Sequence, residues 1–142
     1  MHLLSLQEVK DVAFKLAQET MTWDEPIPGF ATRFPNILES CLATPFQTFD
    51  KKHLYKGLTT KAAVLFYLMI KNHPFSNGNK RIAVTTLLVF LALNAKWIEV
   101  SNEELYNFAV WVASSPRQVM AEAVEAIKKF IEKNMVSYER KG

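Results

Sequence analysis

Two apolar stretches, Ala62–Ile70 and Ile82–Leu93, are joined by a short polar run that contains Pro74 and Asn77-Gly78. This pattern constrains the fold more than any other. Each stretch has the length and composition of a helix with almost no polar face, and such a helix must be covered on several sides. Neither approaches the roughly 18 apolar residues needed to span a bilayer. Both are therefore expected as buried helices of a soluble core, packed against each other through the tight turn. A chain of 142 residues can supply the surrounding layer as one domain, residues 1–142.

The other segments read as that layer. Ser5-Leu-Gln-Glu8 forms a capping box, and Val9, Val12, Ala13, Leu16 and Ala17 follow on one face of a helix that fades near Thr20. Trp23–Gly29, with Pro26 and Pro28, is a loop. A helix is predicted over Phe34–Leu42 with Pro35 in its first turn. Thr44–Gly57 alternates Phe46, Gln47, Thr48 and Phe49 and reads as a short extended hairpin or flap.

Thr59 or Thr60 is expected to cap the first apolar helix, which stops before Pro74, and the second should run from Asn79 to Leu93 with Asn94 at its end. Lys96–Val100 suits a short strand. Ser101-Asn-Glu-Glu104 and Ser115-Pro-Arg-Gln118 read as further capping boxes. The last helix places Val119, Ala123, Val124, Ile127 and Ile131 on one face. The sum is an all-α domain of about six helices with short extended regions.

Charge and cysteine content narrow the setting. Seventeen basic against fourteen acidic residues leave a net charge of +3, too small and too scattered for direct nucleic-acid binding. The single Cys41 cannot form an internal disulfide, and no signal-peptide core develops after Met1, which points to a cytoplasmic protein without membrane attachment.

The polar run itself, His73-Pro-Phe-Ser-Asn-Gly-Asn-Lys-Arg81, concentrates the chemistry. An imidazole at the end of a helix can exchange protons near neutral pH. Phe75 can anchor the turn, and Asn77-Gly78 suits a backbone with positive φ. The helix that starts at Asn79 offers unpaired N–H groups and a partial positive charge. Lys80 and Arg81 add cations at the helix end where cations are mildly unfavourable, as an expected anion would explain. An ordinary turn with a solvated basic edge is the plain alternative. Convergence of all these features within one turn raises the case for a phosphate site, with the plain alternative still open.

The same run resembles the signature of the Fic/Doc (Fido) family, His-x-Phe-x-[Asp/Glu]-[Gly/Ala]-Asn-[Gly/Lys]-Arg. The resemblance implies a small helical domain with a β-hairpin flap over the motif. Fic-type members carry Gly after the Asn and a second Arg three residues beyond the first, and they transfer AMP from ATP to hydroxyls. Doc-type members, the death-on-curing toxins, carry Lys instead and lack the second Arg. With Lys80 and Val84 this chain looks like the Doc type.

That resemblance implies transfer of the γ-phosphate of ATP to a protein hydroxyl, such as a threonine of elongation factor Tu, blocking translation. It also implies an antitoxin of the Phd type acting in trans. By position, His73 would be the general base, and Gly78, Asn79, Lys80 and Arg81 would bind the phosphates. Phe46, Gln47, Thr48 and Phe49 would form the target-docking flap. Asn77 takes the acidic position that holds Mg²⁺, where a carboxamide is a weaker ligand than a carboxylate. Adenylyl transfer and a catalytically weakened binding module are the other functions that the resemblance leaves open.

Overall fold

The computed structural model describes residues 1–138. Among these, six helices and two antiparallel strand pairs follow in the order α1 (residues 6–20), α2 (Pro35–Ala43), β1 (Thr48–Phe49), β2 (Lys52–His53), α3 (Leu58–Lys71), α4 (Asn79–Leu93), β3 (Lys96–Ile98), α5 (Asn102–Ser114), α6 (Met120–Asn134) and β4 (Met135–Ser137). The fold is thus all-α with a small hairpin, as the sequence predicts. No helix among the described residues is long and apolar enough to cross a membrane.

The α3–α4 pair is the centre. Every residue from Arg81 to Leu91 is buried, and α3 buries Lys61–Tyr67, Met69 and Ile70. The pair is covered by α1, α2, α5 and α6, and all six helices contribute to one continuous hydrophobic cluster. Burying the apolar area of a Leu or Phe side chain stabilises a fold by about 1.5–3 kcal/mol. Leu65, Phe66, Leu87 and Phe90 each have at most 1% of their surface exposed. These two helices are therefore the main source of stability, and the loops that join them are held from both sides.

Helix α1 departs from its expected stripe. The capping box is present, with Ser5 Oγ accepting from Glu8 N–H at 3.1 Å and Glu8 Oε1 accepting from Ser5 N–H at 2.9 Å. Residues Val9–Phe14, however, form a π-helical stretch. The wider turn rotates the following face, so Val12 is 47% exposed while Phe14 is buried. Thr85 Oγ1 of α4 donates to the carbonyl of Ala13 at 2.7 Å. A side-chain donor inserted from a neighbouring helix is a recognised cause of such a local loosening.

Three other expectations change. The N-cap of α3 is Gly57 at φ 84°, and neither Thr59 nor Thr60 caps it. Thr59 Oγ1 instead donates to Glu132 of α6. Ser115 does not open a capping box; its hydroxyl donates back to Val112 O at 2.6 Å, and a 3₁₀ turn at Arg117–Val119 precedes α6. Val119 stays exposed outside that helix. Nothing local in the sequence marks strand β4. It forms because Trp97 pairs with Val136 and Ile98 with Met135, so β3 supplies the partner.

Candidate active site

The turn between α3 and α4 is assembled by backbone constraints at both ends. Lys71, the last residue of α3, donates to the carbonyls of Ala113 at 3.1 Å and of Ser115, which ties α3 to the end of α5. Arg117 reaches Asn72 Oδ1 at 3.2 Å and also the Lys71 carbonyl. His73 follows at φ 49°, a left-handed conformation that costs a non-glycine residue about 1–2 kcal/mol. It is exposed on the surface while Phe75 is buried between Phe14 and Phe30, at ring distances of 5.4 and 6.0 Å. Phe75 is the anchor that the sequence predicts.

Asn79 closes the turn. Its Oδ1 accepts from Phe75 N–H at 2.9 Å and its Nδ2 donates to Phe75 O at 2.8 Å. These two bonds fix which end of the carboxamide faces His73, and Nδ2 lies 3.5 Å from His73 Nδ1. That distance is the outer limit of a hydrogen bond, enough to orient the ring and too long to lock it. The Asn79 side chain is therefore a brace for the turn and a positioner of the histidine. Its amide is not a free phosphate donor, which corrects the expected role.

Gly78 has φ 79° and ψ 14°, the left-handed conformation expected of the Asn-Gly pair. A Cβ there would lie 2.8 Å from Ile27 Cγ1. Glycine is thus required by backbone angle and by the close approach of the loop at 23–29. Its N–H donates to Asn77 Oδ1 at 2.8 Å, so that donor too is already engaged. The first intrahelical bond of α4 runs from Ile82 N–H to Gly78 O, which leaves the N–H groups of Asn79, Lys80 and Arg81 without an acceptor inside the helix.

Arg81 differs most from its expected place. It is 2% exposed. Its Nη1 donates to the carbonyls of Trp23 at 2.9 Å and Met21 at 3.3 Å, and its Nη2 to the carbonyl of Glu25 at 2.7 Å. The guanidinium staples the loop after α1 onto the start of α4. Hydrogen bonds to a charged donor are worth about 1.5–3 kcal/mol each. Arg81 is therefore a structural staple here, and it can meet a phosphate only after giving up part of this set.

Lys80 remains available. It lines a small cleft of about 20 Å³ together with Asp24, Asn77, Gly78, Arg81 and Tyr106. That volume holds about one water molecule, and a phosphate is larger. The loop borders the cleft, and its Trp23 packs edge-on against Tyr106 of α5 at 5.4 Å. Nothing local in the sequence marks Trp23, Asp24, Glu25 and Tyr106 as members of this site. A proline-rich loop and an ordinary amphipathic helix carry no local signal that they meet.

Asn77 does not fit its expected role as a Mg²⁺ ligand. Its carboxamide oxygen is taken by Gly78 N–H, and its Nδ2 faces the Glu25 carboxylate at 3.4 Å. Among the described residues no group of three His, Cys, Asp or Glu side chains could hold a metal. Glu25 is the one carboxylate whose bond to Asn77 sets it beside the turn, where Mg²⁺ commonly takes one carboxylate and completes its shell with nucleotide oxygens and water.

The hairpin lies elsewhere than expected. Phe46 belongs to a 3₁₀ turn and packs edge-on against Phe90, near the end of α4, at 5.8 Å. It is a core contact and not part of the flap. Gln47 O accepts from Leu54 N–H at 3.0 Å and closes the hairpin, in which Thr48 pairs with His53 and Phe49 with Lys52. Thr48 and Phe49 are exposed and extended. The root of the hairpin, at Phe46 and Tyr55, contacts Lys61 in the first turns of α3. Ten residues of helical rise, Lys61 to Lys71, separate that level from the end of α3 that leads into His73, about 15 Å. A flap seated directly on the motif is not what these anchors produce.

Comparison with known proteins gives one result. No curated protein and no solved structure matches the chain, whereas the model of the Fic/DOC family matches residues 3–91. This span is more than half of the 142 residues, and it includes the whole turn from His73 to Arg81 with the helices that hold it. The chain therefore belongs to the Fic/DOC family, whose members are typically transferases acting by nucleotidyl or phosphoryl transfer.

Proposed function

We propose that the chain is a Doc-type phosphotransferase that moves the γ-phosphate of ATP to a hydroxyl of a protein target. The observation that carries this reading is the start of α4: a left-handed Gly78, three N–H groups without intrahelical acceptors, and Lys80 in the first turn. This is an anion site by construction. Val84 supports the Doc subtype over the adenylyl-transferring one. It has no exposed surface and sits in the core, so the position of a second motif arginine offers no cation.

In this reading the target oxygen attacks the γ-phosphorus, the bond to the β–γ bridging oxygen breaks, and ADP leaves. His73 takes the hydroxyl proton, and Asn79 keeps its ring in place. Lys80 and the amide groups of residues 79–81 neutralise charge on the transferring phosphoryl group. Mg²⁺ would add charge neutralisation when bound with the nucleotide, and Glu25, which meets the Asn77 amide, and Asp24, which lines the cleft, are the carboxylates that would receive it. ATP enters when the loop at 21–25 withdraws from Arg81. The target class is that of elongation factor Tu, and a Phd-type antitoxin is the partner expected to restrain the chain in trans.

Mass spectrometry of elongation factor Tu incubated with the chain and Mg-ATP tests the reading. A phosphoryl increment on the target, lost in His73→Ala, supports it. An adenylyl increment makes the chain an AMP transferase. No increment with measurable ATP binding makes it a binding module, the reading that Asn77 and the captured Arg81 favour.

A further inference from the structure

The far end of the central helix pair holds a cation that the motif chemistry does not use. Lys61 is 3% exposed. Its ammonium donates to the carbonyl oxygen of Tyr55 and lies 5.9 Å from the centre of the Phe46 ring. An ammonium has three donors, and among the described residues one acceptor is supplied. No carboxylate pairs with it; among the described residues the one side-chain ion pair is His2 with Glu8. Burial of a charge without a counter-ion is costly, and it draws the Lys61 pKa below its ordinary value.

Two further features meet at the same place. Gly57 begins α3 with no capping side chain, and the first intrahelical bond runs from Lys61 N–H to Gly57 O at 3.2 Å. The N–H groups of Leu58, Thr59 and Thr60 therefore have no acceptor inside a helix of 14 residues. A cavity of about 440 Å³ opens here, lined by Met1, Leu3, Phe46, His53, Lys56, Gly57 and Lys61. Its walls hold two lysines, one histidine and three large apolar side chains, and no acid. That volume falls within the range of small-molecule sites.

We propose that this cavity binds a small amphipathic anion, a carboxylate or phosphate monoester carried on an apolar stem. Lys61 and the open start of α3 hold the anionic head, and Met1, Leu3 and Phe46 pack on the stem. The apolar wall selects against free inorganic phosphate, which brings no surface to bury. Because His53 lies on β2 and Phe46 at the root of the hairpin, an occupied cavity stiffens residues 48–54. The site stands apart from the motif turn and does not depend on the proposed transferase activity.

Calorimetry on the whole chain with octanoate, octyl phosphate and inorganic phosphate tests this. Saturable binding of an octyl ligand is expected, at least about tenfold tighter than inorganic phosphate and weakened about tenfold or more by Lys61→Met. Leu3→Asp, at a position 58% exposed and so harmless to folding, should abolish octanoate binding even if Lys61→Met fails to fold. Hydrogen exchange should slow at residues 48–54 on binding and stay unchanged at 73–81. No saturable binding of either octyl ligand overturns the proposal. Equal octanoate affinity in wild type, Lys61→Met and Leu3→Asp overturns it as well.

Discussion

The two ends of the α3–α4 pair begin from the same local device and finish in opposite states. Each helix starts at a glycine with positive φ, Gly57 at 84° and Gly78 at 79°, and neither has a capping side chain. Each buries a cation about one turn in, Lys61 at 3% exposed and Arg81 at 2%. At the motif end three carbonyls of the loop after α1 engage the cation, and the cleft on the Lys80 side holds about 20 Å³, while a separate cavity of about 310 Å³ lies among Gln18, Ile27 and Arg81. At the hairpin end one carbonyl is offered, and a cavity of about 440 Å³ stays open. A helix start sets where an anion can be held. What covers it decides whether there is room.

The largest effect should come from Arg81→Ala, which removes the staple at the closed end. One buried carbonyl, that of Met21, and two part-buried ones, of Trp23 and Glu25, lose a charged donor, and stability should fall by about 3 kcal/mol. Urea unfolding measures this directly. A loss below about 1 kcal/mol would mean that the loop is held by other contacts, and the contrast between the ends would fail.

The glycines separate next. Gly78→Ala should cost about 2 kcal/mol, part from φ and part from the 2.8 Å approach to Ile27. Gly57→Ala meets nothing within 4 Å, so its cost is backbone strain alone, about 1–3 kcal/mol for an extended left-handed position. The comparison is sharpened by Ile27→Ala, which should recover part of the Gly78→Ala loss and none of the Gly57→Ala loss. Thermal melts of the three single and two double variants decide it. Equal recovery at both sites would show that Ile27 acts globally.

Asn77→Asp probes the closed end electrostatically. It places a carboxylate against Glu25, now 3.4 Å from the Asn77 amide nitrogen. Without Mg²⁺ the variant should lose about 0.5–1 kcal/mol by like-charge repulsion, and added Mg²⁺ should restore it by giving the two carboxylates a shared cation. Calorimetric scans with and without Mg²⁺ read the effect. A melting temperature indifferent to Mg²⁺ would show that the pair does not hold the metal.

The smallest effect belongs to the open end. The folded Lys61 pKa lies below the ordinary 10.5 because burial disfavours the ammonium. Below that folded value both states are protonated and the cost of the buried charge is fully present. As pH rises through it, the folded chain sheds the proton before the unfolded chain does, so stability increases until about 10.5. Lys61→Met should flatten that rise in a series of melts at alkaline pH. An unchanged slope would assign the rise to other groups.

The sequence by itself determined the six helices, the caps at Ser5 and Ser101, the left-handed Gly78 and the family motif. All of these rest on interactions within a few residues: side-chain periodicity, cap hydrogen bonds and backbone sterics. Tertiary structure decided the rest. Val12 turns outward because Thr85, 73 positions away, takes the Ala13 carbonyl. The strand at Met135–Ser137 exists because β3 accepts it.

Arg81 reads as a phosphate ligand from its neighbours in sequence, yet carbonyls nearly 60 residues earlier claim its donors. Asn79 likewise gives its amide to Phe75. A local motif states which donors a site possesses. Their partners are fixed by packing between distant segments, since buried donors must be satisfied by whatever acceptor the fold brings within hydrogen-bond reach.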